Sequence, residues 1–443
     1  MNYTLPSYFQ ALLLLVGCLL PLLPRAQSLT LEEAIQLGLA NRSEVKNAAL
    51  SIQLAEQRNT RLKASWQPQV SGAADFRWNT QLQTTILPFD ITGQNPGGSS
   101  EVKFGLPFNN SLGITAEQKI LSPTSKYDQQ LNATQVQTEQ NITEQQKIAI
   151  RQSVTEAYYL AVFNRERIRL AELAMQRATG NLEVARTQEA AGTLLPTDLK
   201  RVELDQRNTL LTLRKATQDH ELAIRELHYR MGIDQPLSYL PSVSLREILA
   251  DTLAVGAPDI MARKELQAEV LNLTMQEVSQ QREKASRLPT LSAYGNYSAL
   301  QLSNTLNPFQ SGTWYPFNYL GLRLSVPIYD GKQSRITEED YKIRQQISRN
   351  TQAQLAKDLT YEAQSALTTL QQARMDVEET EANLAFAREL VETDVFRYKK
   401  EVLTLAQLNS TQTTLQNAET NYLNSVYSYM VALVRYRRAA GLL

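Results

Sequence analysis

The sequence predicts a mainly α protein with membrane β: internally duplicated long coiled-coil helical hairpins plus four β-strands per chain. Three observations predict it. The first is duplication. Leu112-Gly113-Ile114 recurs as Leu320-Gly321-Leu322 at an offset of 208, and Met231-Gly232-Ile233 recurs as Ala440-Gly441-Leu442 at an offset of 209. Internal repeats of this kind fix an architecture before any single element does. The second is an unbroken heptad stripe between those anchors. It runs Ile150, Val154, Ala157, Ala161, Asn164, Ile168, Ala171, Met175, Ala178, Leu182, Ala185 in one copy, and from Leu359 through Ala363, Leu370, Val377 and Leu384 to Asp394 in the other. A sustained 3.5-residue period marks long helices that pack as coiled coils. The third is a switch to period two after each of two prolines, Pro68 and Pro289.

Residues 1–27 read as a secretory leader. Ala11 to Leu23 is apolar, and Arg25-Ala26-Gln27 offers a small residue at a cleavage point, although no Lys or Arg precedes the apolar core. Cys18 is the only cysteine and lies in this segment. Cleavage near Ala26 would remove it; Leu15-Val16-Gly17-Cys18 also fits a lipid-attachment box, and both outcomes stay open. Residues 28–233 form the first repeat and residues 234–443 the second.

Each repeat opens with a helix, about Ser28 to Ser65 and about Pro258 to Ser286. Thr30 and Glu33 have the spacing of a capping box. Strands follow at about 68–85, 108–120, 289–302 and 317–328. Val70, Gly72, Ala74, Phe76 and Trp78 alternate with Ser71, Ala73, Asp75, Arg77 and Asn79, so one face is apolar and the other polar. Strands of roughly ten residues match a tilted barrel crossing. Long, turn-rich loops, Ile86 to Pro107 and Ser303 to Pro316, join each pair. From about Ser122 to Ala190 the chain is helical, roughly 100 Å at 1.5 Å per residue. The hairpin turns at Gly192-Thr193-Leu194-Leu195-Pro196, with Gly192 suited to a helix C-terminus and Pro196 to a first turn. The second copy turns near Lys400-Glu401-Val402-Leu403.

Four strands cannot close a barrel, and open edges cannot sit in lipid. Two copies would supply eight strands and three would supply twelve. An eight-stranded barrel would be plugged by side chains, which wastes a polar face bearing Asp75, Arg77, Glu117 and Arg323. A cyclic homotrimer with a 12-stranded β-barrel is the expectation. Charge is balanced, 45 basic against 45 acidic residues, so nucleic acid is not an expected partner. No apolar run reaches the length of a transmembrane helix. His220 and His228 stand eight apart on one helix, too far for one metal, and no phosphate loop or nucleophile motif occurs. Neither enzyme activity nor a cofactor is expected.

The duplicated unit, the strand–loop–strand hairpins and the paired helices resemble the TolC family of outer-membrane efflux channels. The motifs that carry the resemblance are Leu29-Thr30-Leu31-Glu32-Glu33-Ala34-Ile35, the Pro68 junction, Val326-Pro327-Ile328-Tyr329-Asp330-Gly331-Lys332 and the Gly192-Thr193-Leu194 tip, in order over nearly the whole mature chain. The resemblance implies a trimeric exit duct of a tripartite efflux or type I secretion system in outer-membrane lipid, with a periplasmic α-helical barrel. It implies a periplasmic adaptor and an inner-membrane pump of the RND, ABC or MFS type. Gly192, Thr193, Leu194, Leu195, Glu401, Val402 and Leu403 are then adaptor-binding tips. Asp198 and Tyr398 match a pair that in some members ties neighbouring coiled coils shut. Gln407 and Ser410 stand where the family places two carboxylates, so a neutral polar constriction replaces an acidic ring. Six aromatics, Trp78, Phe108, Trp314, Tyr315, Phe317 and Tyr319, are candidates for an interfacial girdle. A trimeric coiled-coil surface stalk or adhesin is the alternative, distinguished by its lack of need for strand hairpins.

Overall fold

The computed structural model describes residues 27–89, 98–233, 239–241, 256–307, 309, 313–400 and 402–443. Most of the expected leader, with Cys18, and the tip residue Glu401 lie outside these residues. The chain divides into two compact units, Met1–Leu50 with Gln140–Ala268 and Gln352–Leu443, and Ser51–Glu139 with Glu269–Thr351.

The first unit is helical. Strand β1 (Gln27–Leu29) pairs in parallel with β6 (Tyr239–Pro241), a small sheet with no sequence signal. Helix α1 (Leu31–Asn41) begins at the expected capping box: the Thr30 N–H donates to Glu33 Oε2 at 2.8 Å and the Glu33 N–H to Thr30 Oγ1 at 3.3 Å. The Thr30 N–H and the Thr30 hydroxyl, both donating to the Glu33 carboxylate, hold that carboxyl below the usual range. The single opening helix of the sequence reading is in fact two, α1 and α2 (Ser43–Ala64), broken at the extended residue Arg42. The second copy breaks in the same way. A 3₁₀ turn (Ile260–Ala262) and α5 (Lys264–Ala285) flank Arg263, also extended.

These two arginines are equivalent by repeat and do equivalent work. Arg42 Nη1 donates to the Tyr229 carbonyl at 3.2 Å and pairs with Glu44 at 2.5 Å. Arg263 Nη1 donates to the Ala439 carbonyl at 2.9 Å and pairs with Glu265 at 3.1 Å and Glu362 at 3.3 Å. Burial alone would raise the Glu265 carboxyl; the Arg263 guanidinium outweighs it and holds the group below its ordinary value. Each arginine thereby satisfies a carbonyl in the last turn of its own return helix, where four carbonyls otherwise lack partners.

The hairpins are α3 (Ser125–Ala190) with α4 (Pro196–Met231), and α6 (Gln333–Lys399) with α7 (Leu405–Ala439). The heptad stripe is where the helices are buried. Val154, Ala157, Ala161, Ala171, Ala178, Leu182 and Ala185 are covered in α3, as are Leu359, Ala363, Leu370, Ala373, Val377, Leu384 and Ala387 in α6. Small alanines at these positions let backbones approach closely. Asn164, a polar break in the stripe, is buried and bonds within its own turn, accepting from Arg167 at 3.0 Å; Arg167 in turn pairs with Asp219 of α4 at 3.0 Å. The two hairpins are also joined by polar bonds. Asn181 donates to Asn409 at 2.8 Å and Gln412 at 2.7 Å, and Arg177 meets the buried Glu419 at 3.2 Å.

The second unit carries a four-stranded antiparallel sheet in the order β2 (Gln69–Trp78), β5 (Phe108–Leu121), β7 (Thr290–Ser303), β8 (Trp314–Ser325). The first strand stops at Trp78, short of the expected 85, and a separate hairpin, β3 (Thr84–Leu87) with β4 (Ser100–Lys103), occupies the expected loop. The last strand starts at Trp314 and stops at Ser325, because Pro327 has no N–H for a ladder. The duplicated Leu-Gly-aliphatic motif now has a cause. A Cβ on Gly113 would meet Ser298 Oγ at 2.1 Å, and one on Gly321 would meet the Tyr294 ring at 2.7 Å. At both places glycine leaves the space that the cross-strand side chain occupies.

Candidate functional site

The sheet register assigns every strand side chain to one of two faces. Val70 pairs with Ala116, Gly72 with Ile114 and Ala74 with Leu112. Ile114 pairs with Tyr297 and Ala116 with Gly295, which pairs with Leu320. One face therefore carries Val70, Phe76, Leu112, Ile114, Leu320, Leu322 and Leu324, all of them more than half exposed and Leu320 as much as 92%. The other carries Asp75, Arg77, Glu117, Asn296 and Arg323. A contiguous exposed apolar face of this extent needs an apolar partner phase. The outer edges of β2 and β8 have no partner within the sheet, a row of open backbone groups that a membrane does not tolerate.

The same register divides the six aromatics. Trp78, Phe108 and Trp314 lie on the apolar face, where Trp78 and Phe108 stack with centroids 6.2 Å apart. Tyr315, Phe317 and Tyr319 lie on the polar face, and Tyr319 meets Tyr294 edge-on beneath Arg323, whose guanidinium sits 4.8 Å from the Tyr294 ring. Three of the six girdle candidates therefore share the apolar face and three do not. Near the loops, Asn110 and Gln301 are buried polar residues on the face that carries Leu112 and Leu320. Asn110 donates to Gln301 at 2.9 Å, and Gln301 donates to the Asn307 carbonyl at 2.9 Å and Thr313 at 2.8 Å, tying the β7–β8 loop down.

The hairpin tips are built from turn chemistry. Gly192 has φ +73°, the left-handed value that ends α3. The N–H groups of Thr193 and Leu194, at 2.9 and 3.2 Å, and the Thr193 hydroxyl, at 3.0 Å, all donate to the Gln188 carbonyl. Pro196 then begins α4. Of the expected tip residues, Leu194 and Leu403 are only partly exposed; Leu194 packs on a cluster of Leu182, Ala185, Val202 and Leu405. Leu195 and Val402 project, at 66% and 70% exposure. The second tip starts α7 with an unforeseen capping box: Thr404 N–H donates to Gln407 Oε1 at 3.1 Å, and Gln407 N–H to Thr404 Oγ1 at 3.3 Å. The Gln407 side chain is therefore folded back on its own helix, while Ser410 is exposed.

Asp198 and Tyr398 do not bond to each other within the chain. Asp198 pairs with Arg201 at 3.1 Å, and the Tyr398 hydroxyl accepts from Gln188 Nε2 at 3.0 Å. Gln188 carries no signal in the sequence; a glutamine in a helix looks solvated, yet it joins the first tip to the second hairpin. His228 is buried in α4, and burial pushes its imidazole pKa down. Among the described residues no group of His, Asp and Glu could hold a metal ion, and no helix is long and apolar enough to cross a membrane.

No protein-family model matches the chain, and no curated protein matches it. Solved structures do. Over 99% of this chain and 98% of the other it is similar to CusC, a protein described in terms of folding and transmembrane channel formation, at 15% identity and a TM-score of 0.73. The CmeC outer membrane channel of Campylobacter jejuni matches 93% of the chain with 85% of its own length, at 16% identity and a TM-score of 0.70. The MtrE outer membrane channel of Neisseria gonorrhoeae, in its open state, matches 94% with 89% of its own, at 15% identity and 0.70. Likeness at such identities is likeness of fold. The chain has the TolC-like fold of these channels, with long helical hairpins and one four-stranded antiparallel sheet.

Proposed function

We propose that three copies of this chain form an outer-membrane exit duct of a tripartite efflux or type I secretion system. In this reading the two repeats, 28–233 and 234–443, each supply two strands to a 12-stranded barrel and one helical hairpin to a periplasmic tunnel. Substrate enters from an inner-membrane pump of the RND, ABC or MFS type through a periplasmic adaptor docked at the tips. The observation that carries the proposal is the two-faced sheet with two open edges. Its apolar face suits lipid, its polar face suits a water-filled lumen, and joining β8 of one copy to β2 of the next removes every edge. A coiled-coil stalk has no use for such a sheet.

The periplasmic end is proposed to close by contacts among coiled coils rather than by a charged ring. Asp198, Tyr398, Gln407 and Ser410 remain its candidate residues, with the Gln188–Tyr398 bond as a contact the tips already make. The assembly is tested by mass measurement of the detergent-solubilised protein. A trimer is expected; a monomer or dimer of native fold would remove the barrel.

A further inference from the structure

We infer that a basic groove at the foot of the sheet is a binding site for phosphate-bearing anions. The groove has a volume of about 720 Å³. Arg58 and Arg61 of α2, Lys119 of β5 and Arg282 of α5 line it, against one carboxylate, Asp128, which Arg282 holds at 2.5 Å. Among the described residues Arg58, Arg61 and Lys119 form no ion pair, so three cations per chain face the groove without a counter-charge. Around them stand the polar side chains of Ser65, Ser122, Thr124, Ser125, Asn132 and Gln135, of which Ser65 donates to the Leu62 carbonyl and Gln135 to Glu139.

The backbone adds to the same field. Ser122, Thr124 and Ser125 are the entry and first turn of α3, a helix of 66 residues, whose positive dipole end favours an anion. The groove is complete within one chain. It lies over α3 with α2 on one side, anchored by the Asn132 bond to the Ala55 carbonyl at 3.3 Å, and α5 on the other, anchored by Arg282. Trp66, whose indole N–H donates to Ser125 at 2.9 Å, fixes one wall. Arginine guanidinium forks suit phosphate oxygens better than chloride or a lone carboxylate oxygen, because they donate in pairs.

Lys119 pairs with Ser292 and shares the strand face of Glu117, Asp75 and Arg77. The groove therefore continues the polar face. That the anion is a solute inside the lumen rests on the duct reading; that the groove binds phosphate does not. The chemistry is shared with one other source, the phosphate of an anionic lipid headgroup.

Pyrophosphate titrated calorimetrically into the detergent-solubilised full chain at low salt tests the site. Binding is expected, and R58Q/R61Q/K119Q, three exposed changes, should weaken it roughly tenfold or more, whereas K63Q, on the same helix but outside the groove, should not. No binding to the wild type, or equal binding to the triple variant with an unchanged melting temperature, overturns the site. In phosphatidylcholine planar bilayers, pyrophosphate that lowers wild-type conductance but not that of the variant places the anion in the lumen. Stabilisation by phosphatidylglycerol vesicles, lost in the variant and without conductance block, assigns the groove to a lipid headgroup. A wild type that binds pyrophosphate but forms no channel overturns the duct and leaves the site standing.

Discussion

Gln188 shows how one side chain can couple two hairpins. Its carbonyl gathers three donors from the turn at Thr193 and Leu194, and its amide donates to Tyr398 across the helix pair. A half-buried hydrogen bond of this kind contributes on the order of 1 kcal/mol. In a trimer three symmetric copies would reach about 3 kcal/mol, enough to bias a two-state gate roughly a hundredfold. Tyr398→Phe keeps the ring on its cluster with Leu182 and Val202 and deletes only the acceptor. Single-channel conductance in planar bilayers should rise for Tyr398→Phe and change less for Asp198→Ala, whose carboxylate holds Arg201 along its own helix. Unchanged conductance in the double variant would move the latch to the leucines of the tip. The arginine pair makes a related point. Arg42 and Arg263 each stand 26 residues before a proline and two before a glutamate, a spacing that was readable but had no local meaning until the return helices showed which carbonyls they reach.

At the scale of elements, periodicity proved the strongest signal. Stripe positions such as Val154, Ala161 and Leu370 are buried, and the turn at Gly192 and Pro196 forms as its residue types require. Elements fixed by distant partners were not legible. Strands β1 and β6 are three residues each and exist only because they pair. The break at Arg42 has neither proline nor glycine to announce it. Strands β3 and β4 were hidden in a stretch rich in turn residues, where only their mutual pairing selects the extended backbone. The tips were located, but which side chains project was not, since Leu194 and Leu195 are identical in type. Exposure separates them, and the adaptor prediction follows it. Leu195→Asp with Val402→Asp should leave trimer assembly and melting unchanged while abolishing efflux in cells and adaptor co-purification. Leu194→Asp should instead lower the melting temperature, because it drives a charge against Leu182 and Leu405. Normal export by the Leu195/Val402 variant would take the tips out of the adaptor contact.

For the whole molecule the open edges matter most, because the proposed duct needs neighbouring copies to close them. Sheet order alone places β2 and β8 at the ends, and the exposed apolar face is continuous from Val70 to Leu324 across all four strands. If that face meets lipid, a charge placed on it is felt once per subunit. Arginine at the bilayer midplane of a barrel costs roughly 2–4 kcal/mol, so three copies would cost about 6–12 kcal/mol, comparable to the whole stability of an ordinary domain. Leu320, mid-strand and 92% exposed, is the position to test. Leu320→Arg should abolish outer-membrane insertion, read by membrane fractionation and by loss of the trimer band on unheated gels. Ser71→Arg, on the opposite face of β2, should insert normally, since the polar face already bears Asp75 and Arg77. The two substitutions add the same charge to the same sheet at nearly the same level but on opposite faces, since Ser71 lies in register with Tyr319. Equal insertion of both would mean that the apolar face does not meet lipid, and the barrel would fall with it; equal failure of both would mean that the polar face lines no water.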